Sequence, residues 1–341
     1  MGLFSRGLGK DKDANSTSPA EATGPVAAEA APAAEPAPPS RPAPESYLAQ
    51  RPQAPEVPLA ADVTAAPGHP LVDNTEVAEA LQRMAEDPSA HSFYDIMRRC
   101  ATGELLFDIT ASTLNLDGGS IQAGSTLALR THQVDDGREF LLVFTSNAEI
   151  IKANPPGTEI ASLAQPALDS LRMGADKPYD GVIFNAAAGP ASCIVEAAEI
   201  WRGLPAVPGS NEGFKTLLAA PRDEEWSNAA LAAFVNAPVV YIPMDHHTTD
   251  TGEDAGVSVP GARGPDGRAF AVAFTSPAEA WAWSEGSEAY PTGASNVISV
   301  TLDNPDQAGI IINPMGPSLI IPRELLAVIA PGAPGATDTT A

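Results

Sequence analysis

Asp245-His246-His247, followed by Asp250, Glu253 and Asp254, is the densest run of metal-ligating side chains in the sequence. A zinc site needs three or four such groups aimed at one point. Adjacent histidines point apart, and the run is rich in Thr and Gly, so it reads as a solvated acidic loop and no metal is assigned. Ser146 and Ser276 are each followed three residues later by a glutamate, Glu149 and Glu279. A nucleophilic serine at a strand–helix turn would sit in Gly-x-Ser-x-Gly with a histidine to activate it, and neither serine has that context. The spacing is that of a capping box, in which serine accepts from the N3 amide and glutamate returns to the N-cap amide. Both pairs are therefore expected to start helices, with Pro277 at the first helical position of the second. Arg138 and Arg268 each follow an Asp-Gly pair. They are binding candidates, since a guanidinium fork suits a partner's carboxylate, or else locally paired surface groups. Trp281 and Trp283 fall on opposite sides of the helix begun by Ser276, and Trp281 is the candidate contact residue. Gly2, Gly7, Gly9 and Lys10 lack phosphate-loop spacing, and Asp11 stands where that loop needs Ser or Thr. Cys100 and Cys193 are too few for a disulfide framework and read as buried thiols. The reading assigns no catalytic residue, no metal and no cofactor.

The elements behind these residues come from an internal repeat. Residues 136–149 read DGREFLLVFTSNAE and residues 266–279 read DGRAFAVAFTSPAE, identical at nine of 14 positions without a gap. Chance gives about one identity at ordinary residue frequencies. A second anchor follows each copy, Gly181 to Asn185 and Gly309 to Asn313. A separation near 130 residues (266 minus 136) is too long for a solenoid and marks duplication of a whole domain. Within each copy, Asp-Gly signals a hairpin turn because glycine reaches positive φ without a Cβ clash. Phe140, Leu142 and Phe144 alternate with Leu141 and Val143, so both faces are apolar and the strand is expected at the sheet centre. Val77, Leu81 and Met84 behind Asn74, then Phe93, Ile96, Met97 and Cys100, have helical spacing. Ala230, Leu231, Phe234 and Val235 repeat it in the second copy. The expected fold class is α+β. It comprises two similar domains, 72–205 and 206–330, each a mixed or antiparallel sheet with packed helices.

Residues 1–71 contain 13 of the 34 prolines, with much Ala and Glu, and few large apolar side chains. Such a segment buries too little surface to offset its ordering entropy, so a disordered tail is expected, with a second at 331–341. The 341-residue chain carries 19 Lys and Arg against 43 Asp and Glu, a formal charge of -24. That field repels phosphate, which opposes binding to nucleic acid or an anionic membrane. No apolar stretch reaches the roughly 18 residues of a membrane span, and no secretory signal is read, so the expected compartment is the cytoplasm. Fourteen Arg against five Lys, with abundant Ala and Pro, fits a GC-rich bacterium.

The phrase DGRxFxxxFTSxAE, followed by a glycine-led apolar strand ending in Asn, resembles the SseB protein N-terminal domain family. The resemblance covers both repeats and neither tail. Asn313-Pro314 matches the family's Asn-Pro ending, while Asn185-Ala186 departs from it. The resemblance implies no catalytic residue. The expected function is a non-catalytic protein that binds another protein, in a regulatory or scaffold role. The alternative is an enzyme or ligand-binding protein with its site in the interdomain cleft.

Overall fold

The computed structural model describes residues 72–117, 120–206, 211–264 and 266–330; the expected tails, 1–71 and 331–341, lie outside them. In the first copy, Asn74 caps Thr75–Glu86 (α1) by accepting from the Val77 amide, and Val77, Ala80 and Leu81 form the buried stripe. Ser89 caps Ala90–Arg99 (α2) in a box closed with Ser92. The chain continues through Glu104–Asp108 (β1), Leu116–Asp117 (β2), Ser120–Ile121 (β3), Thr131–Gln133 (β4) and Glu139–Val143 (β5). Asn147–Lys152 (α3), Ser162–Pro166 (β6), Ala167–Ala175 (α4), Gly181–Phe184 (β7), Cys193–Glu196 (β8) and Ala197–Gly203 (α5) complete it. The second copy opens with Glu212–Ala219 (α6), Trp226–Val235 (α7), Val240–Thr248 (β9), Asp254–Ser258 (β10), Ala262–Arg263 (β11) and Ala269–Ala273 (β12). Pro277–Trp283 (α8), Glu288–Thr292 (β13), Ala294–Asp303 (α9), Gln307–Ile312 (β14), Leu319–Pro322 (β15) and Arg323–Ile329 (α10) follow.

The sheet topology repeats with the sequence. The strand orders are β4-β5-β7-β8 and β11-β12-β14-β15. In each sheet the central pair is parallel and the outer pairs are antiparallel. Parallel neighbours require a crossover, supplied by α3-β6-α4 in one copy and α8-β13-α9 in the other. Each copy is therefore an α+β domain with a mixed sheet. The doubly apolar strands, β5 and β12, lie inside their sheets, and Phe140, Leu141, Leu142 and Val143 are all buried. Phe144 and Phe274, 130 residues apart, bridge to equivalent neighbours, Leu106 and Tyr241. Among the described residues no helix is long and apolar enough to cross a membrane.

Each copy locks its crossover in the same way. The parallel strand ends at an asparagine in the left-handed region, Asn185 (φ 45°) or Asn313 (φ 48°). The Asn185 amide oxygen accepts from the Thr145 amide at 3.0 Å, and its nitrogen donates to Thr145 Oγ1 at 3.0 Å. Asn313 and Thr275 repeat this at 3.1 and 3.0 Å. All four residues are buried, so each pair satisfies groups that would otherwise be costly to desolvate.

The acidic histidine segment departs from its sequence reading. It does not loop out: β9 runs on through His246 and His247 and pairs with β10. The strand former run Val240-Tyr241-Ile242 propagates outward because cross-strand partners satisfy its polar end. His246 Nε2 lies 2.7 Å from a Glu288 oxygen, and His247 Nε2 lies 2.7 Å from Ser258 Oγ. The turn between them is closed by the Thr249 amide donating to the Glu253 carbonyl, with Gly252 at φ 82°.

The two copies share a core. Ala278 and Ala282 of α8 belong to the buried cluster of the first copy, with Trp281 and Met315 packed against it. Helix α8 lies across α2 and α5. A Cβ on Gly203 of α5 would sit 2.4 Å from Met97 Cε and 3.4 Å from Ala278 Cβ, which measures how closely these helices meet. Arg172 and Glu212 form an ion pair between the copies.

Candidate functional site

Helices α2, α6 and α8 and the loop after β14 enclose a cleft of about 440 Å³ between the copies. Its charged lining comes from Glu76 on α1, from the last turn of α2 and from facing positions on α6 and α8. Asp95, Arg98 and Arg99 stand at i, i+3 and i+4 on α2, a spacing that brings side chains together on one helix face. Asp95 Oδ1 accepts from Arg98 Nε at 2.6 Å; Asp95 Oδ2 accepts from Arg99 Nε at 3.1 Å and from Arg83 at 2.9 Å. Arg99 also pairs with Glu76. Arg98 donates across the cleft to the Gly316 carbonyl at 2.8 Å. Thus a carboxylate of the first copy aims an arginine at the backbone of the second.

Opposite lies Lys215, on the apolar helix α6. Its Nζ is 3.1 Å from Ser276 Oγ and 3.4 Å from Glu279 Oε1. Burial pulls the lysine below its ordinary range, and the Glu279 charge opposes that pull. Glu279 Oε2 is buried with no hydrogen-bond partner among the described residues. Beside this pair, burial pushes the Cys100 thiol well above its ordinary range, which leaves it a poor nucleophile.

Serine beside a lysine of lowered pKa is the pairing from which some hydrolases build a nucleophile. Here Ser276 is 1% exposed. Its oxygen also accepts from the Glu279 amide at 3.4 Å, and it is not among the residues lining the cleft. A substrate in the cleft meets Lys215 and Glu279, not this hydroxyl.

The reciprocal capping boxes expected from the sequence do not close. Ser146 stands at the N-cap of α3 in extended conformation, but its side chain makes no cap bond. Glu149 instead turns to Lys152 at 2.6 Å. Ser276 does cap α8, while Glu279 turns to Lys215 rather than back to the serine amide. In each copy a nearby lysine outcompetes the N-cap amide for the carboxylate, since a charged donor makes the stronger bond. Ser276→Ala is accordingly expected to lower stability by roughly 1–2 kcal/mol. Ser146→Ala should stay within about 0.5 kcal/mol of wild type. Urea unfolding of both variants checks the difference.

The structure does not bring the other sequence candidates into the cleft. Arg138 sits at the β4–β5 turn, where Nε meets Asp136 at 2.8 Å and a terminal nitrogen meets Glu196 at 2.7 Å. Arg268 repeats only the local pair, with Asp266, because Pro322 stands where Glu196 does. Trp281 lies at the junction of the copies: its ring is 4.9 Å from Tyr94 and 4.6 Å from the Arg202 guanidinium, and its nitrogen donates to the Ser287 carbonyl. Sequence reasoning missed Asp95, Arg98, Arg99 and Lys215. A lysine between Phe214 and Leu217 was the one visible signal. Among the described residues, no three His, Cys, Asp or Glu side chains are grouped to hold a metal.

A family model described as the SseB protein N-terminal domain matches residues 77–202 and again 215–327. No curated protein and no solved structure matches the chain.

Proposed function

This chain belongs to the SseB protein N-terminal domain family, in two tandem copies, and from that premise we propose a non-catalytic bacterial cytoplasmic protein that binds another protein. Its role is regulatory or that of a scaffold. The observation that carries this reading is an asymmetry between two copies of one fold. Among the residues whose exposure the structure describes, three large apolar side chains are exposed in the first copy: Leu127, Met173 and Trp201. The second copy exposes eight, among them Val257, Val300 and Val328. Scattered apolar residues are normal on a surface, but the fold itself does not account for their accumulation on one copy. Exposed apolar surface of this kind favours contact with protein. The buried position of Ser276 supports the non-catalytic part of the reading.

The test places a photo-crosslinking residue at Val257, Val300, Leu127 or Met173 of the full chain in its native cell. The expected result is one discrete protein adduct from the second-copy positions and none from the first. Equal yields from both copies, or no protein adduct, would sink the reading. One observation favours the alternative, a small ligand in the cleft: the buried Glu279 Oε2 has no donor among the described residues. A ligand that raises the unfolding temperature of wild type but not of Arg99→Gln would carry that alternative instead.

A further inference from the structure

We propose that the face formed by α7 and α10 of the second copy is a docking site for an apolar-striped helix of a partner protein, laid across it as α8 lies across α2 and α5 in the first copy. The inference rests on the protein-binding reading above and names its surface and partner chemistry.

The core-facing stripe of α2, Phe93, Ile96, Met97 and Cys100, precedes that of α7, Ala230, Ala233, Phe234 and Ala237, by 137 residues (230 minus 93). Gly181 pairs with Glu196 and Gly309 with Pro322, which sets α5 and α10 apart by 126 (322 minus 196). Ile200 and Leu326 then coincide, both fully buried. In the first copy, Tyr94 and Arg98 of α2 and Glu199 and Arg202 of α5 are the residues beside the second copy. Tyr94 and Arg202 meet Trp281, Arg98 meets Gly316, and Glu199 accepts from the Tyr94 hydroxyl at 3.2 Å. Their counterparts are Leu231 and Val235 on α7, and Leu325 and Val328 on α10. All three charged groups have become aliphatic.

These counterparts lie in the open. Val235 is 42% exposed, Leu325 39% and Val328 68%. A groove of about 340 Å³ runs alongside, lined by Trp226, Leu231, Ile320 and Leu325. So the fold presents the same surface twice. Once a helix carrying Ala278, Trp281 and Ala282 covers it; the second time it is apolar and bare. The occupant is therefore a helix whose docking stripe is apolar throughout, since none of the four counterpart positions carries a charge; Arg222, which also lines the groove, is stacked on the Trp226 ring at 4.6 Å. Exposed Asp223, Glu224 and Glu225 at the start of α7 favour basic residues on its rim. A second copy of this chain fits poorly. The first-copy counterpart of α8 is α3, and there Lys152 replaces Ala282, which is fully buried in its contact.

The probe is a synthetic helix-stabilised peptide carrying the Ala278, Trp281 and Ala282 stripe, with lysines on its outer face. It is titrated into the full chain with methyl groups labelled for NMR. Saturable shifts confined to Val235, Leu325, Val328 and Ile320 are expected. L325E/V328R, which writes the first-copy charges onto exposed sites, should weaken binding at least about tenfold with an unchanged unfolding midpoint. Val257→Asp should leave binding intact. The proposal fails if no saturable shift occurs, or if L325E/V328R binds as wild type does. It also fails if these methyls are already covered in the purified chain, by a second copy (a dimer in light scattering) or by residues 1–71 (uncovered on their removal). Crosslinking from Val257 or Val300 separates the two readings. If it persists while the peptide fails, protein binding stands and this face is wrong; if it too is absent, the protein-binding reading falls.

Discussion

Glu279→Ala is expected to lose roughly 3–5 kcal/mol of stability, the usual effect of breaking a buried pair from one side. The Glu279 side chain is 3% exposed and that of Lys215 10%. Removing the carboxylate strands a buried ammonium whose protonated form burial already disfavours. Lys215→Met should cost a similar amount, because it leaves the buried Glu279 carboxylate without its ion-pair partner, with Oε2 still unpaired among the described residues and Arg99 acting on it only through space. The double variant K215M/E279M should return to within about 1 kcal/mol of wild type, since well-packed apolar groups of similar volume replace such pairs with little loss. pH separates this account from simple loss of packing. In Glu279→Ala the folded chain binds the Lys215 proton less tightly than the unfolded chain. Between the lowered pKa and the ordinary lysine range the unfolded state therefore carries more protons, and stability rises with pH. Urea unfolding through the alkaline range measures it; a flat profile would remove the buried cation from the explanation.

Gly309→Ala is expected to cost roughly 2–4 kcal/mol, combining overpacking with an unfavourable backbone conformation. Gly309 lies within β14 at φ 153°, and a Cβ there would lie 2.1 Å from the Ile321 carbonyl oxygen. That oxygen belongs to the neighbouring strand and cannot rotate away as a side chain would. Gly181→Ala should behave alike, with its Cβ 2.2 Å from the Val195 oxygen. Gly137 and Gly267 provide the comparison. Both have positive φ, but nothing lies within 4 Å of an added Cβ, so alanine there should cost only about 1 kcal/mol. Thermal unfolding of the four variants sorts the steric effect from the conformational one. Equal losses at all four would show that contact with the facing strand is not what demands glycine.

The mixed sheets were legible because their signals are local. Asp-Gly turns, doubly apolar strands and helical spacing behind Asn74 each act within a few residues, and duplication stated them twice. Asn185 and Asn313 were visible as repeated anchors, but their bonds to Thr145 and Thr275 exist only once a crossover brings the two strands side by side. The cleft was hidden for a related reason. Asp95, Arg98 and Arg99 have the spacing of a solvated helix face, and what buries them is α8, nearly two hundred residues further on. Ser146 and Ser276 have one spacing and two outcomes, because Lys215 comes from a helix with no lysine at the matching place in the first copy. His246 and His247 read as loop residues because the edge strand that pairs with them, β10, carries Asp254 and Gly256, both weak strand formers.

The central claim is that the first copy is covered by the second, while the second keeps an open apolar face for another protein. Carbene footprinting of the full chain, purified and again in fresh native extract, tests it most directly. The account predicts strong labelling of Val235, Leu325 and Val328 in the purified chain and loss of that labelling in extract, with Tyr94 and Met97 protected in both. Unchanged labelling of Val235, Leu325 and Val328 in extract, with new protection confined to Arg98 and Arg99 in the cleft, would contradict it.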